Sequence, residues 1–182
     1  MVDPLATDAA IYRDLVTTAM STGNGDLVAS LATMGPPPYS GGTIDYAFIA
    51  GHYAMLEGSY TPPAAYMRRG TDSGVGPWGI LGQEYGPLEK LNVLRGLIDL
   101  HSVMYPQLQQ LDLRRDATSL QVPVHLLMGE HELAARTGPA KEWFELLQAP
   151  DKHWYSLPDS GHSVAFEQAD ELHRILLQEA RG

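Results

Sequence analysis

The sequence predicts an α/β fold, and three observations carry that prediction. "VPVHLLMG", from Val122 to Gly129, is a compact apolar run opened by proline and closed by glycine, as suits a buried parallel strand. "KHWYSLP", from Lys152 to Pro158, is a second run of strand-forming character. Between them Ala140, Trp143, Phe144 and Leu147 recur at i, i+3, i+4 and i+7, the spacing of one helix face packed on a sheet. Ala165, Ala169, Leu172 and Leu176 mark a final helix. Strand, helix, strand, helix implies a βαβ crossover and parallel pairing.

The first two thirds of the chain read differently. Ile11, Leu15 and Ala19, then Leu27, Leu31 and Met34, fall at helical spacing on either side of "STGNGD", so residues 7–34 predict a helical hairpin whose break supplies turn and N-cap residues. Asp3-Pro4 reads as a loop leading into the first helix. "GPPPYSGGT" ends the hairpin through prolines without donors and flexible glycines. A third helix is predicted from Ile44 to about Leu56. The stretch from Gly58 to Gly86 sustains neither periodicity and predicts a long loop, with Tyr60, Tyr66, Trp78 and Tyr85 able to line a pocket or anchor the loop. Leu88, Leu91, Leu94 and Ile98 then restore helical spacing. A parallel sheet needs cover on both faces and more than two strands. This sequence supplies two, both in its last third, so most of the sheet they imply is expected to lie outside the chain.

Composition narrows the function. The 182 residues carry 12 Lys and Arg against 22 Asp and Glu, a formal charge of −10 with no basic block, which argues against nucleic acid or an anionic membrane as partners. There is no cysteine, so disulfides, thiolate metal sites and a cysteine nucleophile are excluded. No N-terminal run has the pattern of a signal sequence, and no segment approaches about 18 consecutive apolar residues. A soluble, cytoplasmic protein acting on a small or peptidic substrate is the expectation.

Functional groups in open α/β sheets collect beyond the carboxyl ends of strands. After the first strand come Gly129, Glu130, His131 and Glu132; after the second come Asp159, Ser160, Gly161 and His162. A carboxylate on one turn and a histidine 30 residues later on the next but one are the two members of an acyl-transfer triad that orient and accept a proton. Either Glu132 or Glu130 could be the acid. The usual nucleophile elbow, G-x-S-x-G, occurs nowhere in the sequence. Its aspartate form appears at "GTDSG" around Asp72, but without a strand before it or a helix after it. His131 lacks the second histidine of H-E-x-x-H, so no metal and no cofactor is expected.

Residues Leu120 to Leu177, with their "VPV" strand closed by glycine, an acid three residues on, and a later "SGH" turn, resemble the C-terminal end of the α/β-hydrolase fold family. The residues before them resemble the helical cap of that family, most like the proline iminopeptidase-type bacterial hydrolases. The resemblance implies a cap over residues 1–118 and a strand-helix-strand-helix part of the core over 119–182. It implies His162 as base and Glu132 as acid, although aspartate is the commoner acid there. The nucleophile and oxyanion hole of that family lie in the N-terminal half of its fold, which is expected to be missing here. The implied function is Ser-His-acid hydrolysis of a small ester, amide or short peptide, by a chain inactive alone, with that missing half or a second copy in a homo-oligomer as its expected protein partner. The alternative is a non-catalytic binding or interaction module.

Overall fold

A computed structural model of the chain describes residues 1–39, 43–58, 60–69 and 85–179. In order these form α1 (Pro4–Ser21), α2 (Gly25–Met34), α3 (Thr43–Ala50), a 3-10 turn (Tyr53–Met55), α4 (Ala64–Arg69), α5 (Pro87–Leu108), α6 (Leu113–Asp116), β1 (Val124–Gly129), α7 (Ala134–Leu146), β2 (Lys152–Leu157), α8 (Val164–Glu167) and α9 (Ala169–Glu179). Two compact units divide them. Unit one comprises residues 1–58, 97–123 and 133–151; unit two comprises residues 59–96, 124–132 and 152–182.

Unit one is helical, and its elements follow from local chemistry. Asp3 caps α1, its side chain accepting from Ala6 N at 2.9 Å, with Pro4 at the first helical position where no donor is needed. Asn24 caps α2 in the same way, accepting from Leu27 N at 3.2 Å. Ile11, Leu15, Ala19, Leu27 and Leu31 are buried together, with Tyr39, Ile49, Tyr105, Leu133 and Ala135 completing the cluster. The predicted hairpin is therefore present, and the predicted third helix is α3 followed by the 3-10 turn. Arg114 ties this unit's termini together, its guanidinium bonding Asp3 at 2.6 Å, Asp112 at 2.9 Å and Glu142 at 2.5 Å.

Unit two holds the sheet. β1 and β2 pair in parallel, in a register that runs from Val124 opposite Lys152 to Gly129 opposite Leu157. The fold class read from the sequence is corrected here. The described chain is mostly helical with one two-stranded sheet, and this is not an α/β-hydrolase sheet. The physical reason is in the strands themselves. Among the described residues two runs form strands, and with one neighbour each they are not enclosed: β1 is half-buried from Val124 to Met128 and fully buried only at Gly129.

Three smaller readings also change. Ala140, Trp143 and Leu147 are buried as the spacing predicts, but α7 belongs to unit one and packs with α1, and Trp143 Nε1 donates to Ala117 O at 2.8 Å. α4 forms inside the stretch read as a loop. On α5, Leu88, Leu91 and Ile98 are exposed while Tyr105 is buried. Trp78 and the "GTDSG" stretch lie outside the described residues. No helix among the described residues is long and apolar enough to cross a membrane.

Candidate functional site

Because Gly129 and Leu157 are register partners, both strands of unit two end at one level and their following turns lie side by side. Backbone contacts fix that juxtaposition. Glu130 N donates to Leu157 O and His131 N to Ser160 O, both at 3.0 Å. At Gly129 the two turns touch: a Cβ there would stand 2.3 Å from the carbonyl oxygens of both Ser160 and Gly161. Glycine is required at this point by close approach of backbone to backbone.

This closeness brings the two sequence-predicted residues together. His162 Nδ1 and Glu132 Oε2 are 2.5 Å apart, across 30 residues of sequence. With the carboxylate as acceptor, Nδ1 carries the hydrogen. The two partners are placed unequally. The Glu132 side chain is 6% exposed and the His162 side chain 62% exposed, so a buried carboxylate supports an imidazole that faces solvent. Glu130, the other carboxylate of the turn, points elsewhere and accepts from Ser156 Oγ at 3.2 Å. Ser160 is fully buried and its Oγ has no hydrogen-bond partner, so solvent does not reach it.

Two further residues hold these turns: Glu167, for which the sequence predicts no role, and Tyr60, which it offers only as a pocket or anchor residue. Glu167, on α8, accepts from Gly161 N at 2.7 Å. Tyr60 donates from its hydroxyl to Asp159 O at 3.3 Å, and its ring stacks on His131 with centroids 4.4 Å apart and planes at 18°. Burial pushes the Tyr60 phenol up to about 12, with the Glu167 carboxylate adding to the rise. The signal for Glu167 was its position five residues after His162, at the end of a short helix; for Tyr60, across 102 residues of sequence from His162, the chain order offers none.

Beside the turns unit two has an open cleft of about 820 Å³, lined by Tyr60, Tyr66, His131, Asp159, Glu167 and Arg174 among others. His131 and Asp159 belong to the two turns, and His162 and Glu132 are not among the lining residues. Tyr60 and Tyr66 therefore do line a pocket.

No family model matches the chain, and no solved structure does. Among curated proteins it is similar to the probable aminopeptidase YbaC of Bacillus subtilis, 26% identical over 102 residues. The match takes in 56% of this chain and 32% of the relative's length, so the chain spans about a third of the protein it resembles.

Proposed function

We propose that His162 and Glu132 are the base and acid of a hydrolase that cleaves a peptide, amide or ester bond through a serine nucleophile. The observation that carries this reading is the 2.5 Å bond from an exposed imidazole to a buried carboxylate. Similarity to a probable aminopeptidase supports a hydrolase of peptide substrates. With Nδ1–H held by Glu132, Nε2 is left in the form that accepts a proton. It would take one from the serine hydroxyl as the oxygen attacks the carbonyl, and return it to the leaving amine or alcohol. Glu132 would stabilise the imidazolium formed between those steps.

The sequence has no G-x-S-x-G, and we assign the serine and the oxyanion-hole donors to polypeptide corresponding to the two thirds of the relative that the match leaves uncovered. Base and acid without a nucleophile have nothing to activate, so the chain alone should show no His162-dependent turnover of a nitrophenyl ester or a proline nitroanilide. Co-expression with a segment that carries a strand, G-x-S-x-G and helix should restore turnover. His162→Ala should then abolish it, and Glu132→Gln should lower kcat by roughly 10²- to 10⁴-fold. Restored turnover indifferent to His162→Ala would sink the proposal. A folded chain that binds a ligand equally well with and without His162, and gains no turnover on co-expression, would point instead to a binding module.

A further inference from the structure

The His162 imidazole is 62% exposed, and Glu132 meets it from the neighbouring turn. Its bond to Glu132 is only as well made as the two turns are placed, since sub-ångström geometry at a site depends on the residues behind it. The structure shows what stands behind these turns. The Tyr60 ring lies on His131, the residue before the acid, and against Gly161, the residue before the base, where an added Cβ would stand 2.8 Å from Tyr60 Cε1. Its hydroxyl reaches Asp159 O on the base turn at 3.3 Å. Glu167 holds the buried Gly161 by its N–H at 2.7 Å, a bond to a charged acceptor and so one of the stronger kind.

We propose that Tyr60 and Glu167 are positioning residues that together set His162 against Glu132, Tyr60 as a wedge spanning the acid and base turns and Glu167 as the tether of the base turn. Neither is a catalytic residue, because each acts through Gly161 or His131. That this placement serves catalysis rests on the hydrolase reading above; the placement itself does not.

The test is long-range ¹H–¹⁵N correlation spectroscopy of the His162 ring in the full chain, at a pH where the spectrum itself shows the ring to be neutral. The spectrum distinguishes the Nδ1–H form that Glu132 selects from the Nε2–H form that an untethered histidine favours. The wild-type ring should be in the Nδ1–H form. Tyr60→Ala and Glu167→Ala should return it to the Nε2–H mixture, whereas Tyr60→Phe, which keeps the ring contacts, should not. Ile175→Val, a buried change on α9, should leave the tautomer alone while lowering stability. Should the alanine variants fail to fold, Glu167→Gln exchanges a charged acceptor for a neutral one, and hydrogen exchange at the Gly161 amide should quicken about tenfold. Folded alanine variants that retain the wild-type tautomer, or a Glu167→Gln chain with unchanged Gly161 exchange, would overturn the proposal. A wild-type ring already in the Nε2–H form would instead overturn the hydrolase reading at its root, and the proposal with it.

Discussion

Gly129 illustrates how one missing side chain makes the site. A β-carbon at this position meets two carbonyl oxygens at 2.3 Å, and both belong to backbone, which cannot yield as the end of a flexible side chain can. Gly129→Ala must therefore displace the turn that carries His162. Overpacking of this kind costs about 1–3 kcal/mol, which for a chain of this size lowers Tm by several degrees. Gly96, in the middle of α5, is a control, because a Cβ there meets nothing within 4 Å. Gly96→Ala should raise stability by about 0.5–1 kcal/mol through reduced backbone freedom in the unfolded chain. Thermal unfolding of the two variants gives opposite signs if the close approach is real. A Gly129→Ala chain as stable as wild type would show that the turns can separate without cost.

At the scale of elements, the last helix shows where sequence pattern stops being informative. The spacing of Ala165, Ala169, Leu172 and Leu176 describes one continuous helix, but the chain breaks at Gln168, leaving α8 and α9 as separate pieces. The break rotates the buried face, so Ile175 is 3% exposed and Leu176 57%. Ile175→Ala should accordingly cost about 2–5 kcal/mol, and Leu176→Ala no more than about 0.5 kcal/mol, in urea unfolding at constant m-value. Equal costs at the two positions would restore the continuous helix. The hairpin of α1 and α2 was legible because its caps and apolar faces are encoded within a few residues of one another. Glu132 and His162 were legible because strand ends and turns have local signatures, and the register of β1 and β2 then brings them together. Tyr60 was not, since nothing local marks a ring that meets residues about 70 and 100 positions further on. The burial of β1 was misjudged for a related reason: an apolar run says that a strand can be enclosed, and only the number of its neighbours says whether it is.

Across the whole molecule, acidic side chains outnumber basic ones by ten, and half of the shifted ionisable groups among the described residues are carboxylates or arginines stabilised by each other, such as Asp112 with Arg114 and Glu171 with Arg174. These pairs hold their carboxyls below the ordinary range, so what they contribute is present above the unfolded value and lost as pH falls. Asp8 works in the opposite direction. It is 1% exposed in unit one, Tyr105 donates to its Oδ2 at 2.6 Å, and its Oδ1 has no hydrogen-bond partner. Burial raises its carboxyl above the ordinary range, outweighing the Tyr105 hydrogen bond and the charge of Arg136. The folded state thus binds this proton more tightly than the unfolded one. Its contribution to stability is complete below the unfolded value of about 3.9 and declines as pH rises from there through the higher folded value. Asp8→Asn removes the titration while keeping an oxygen to accept from Tyr105. The difference in unfolding free energy between Asp8→Asn and wild type isolates this one group, because the exposed pairs titrate alike in both. That difference should move in favour of the variant as pH rises above about 4. A difference that stays level across the range would mean that Asp8 is as well solvated in the folded chain as in the unfolded one, and that its unpartnered oxygen is met by water.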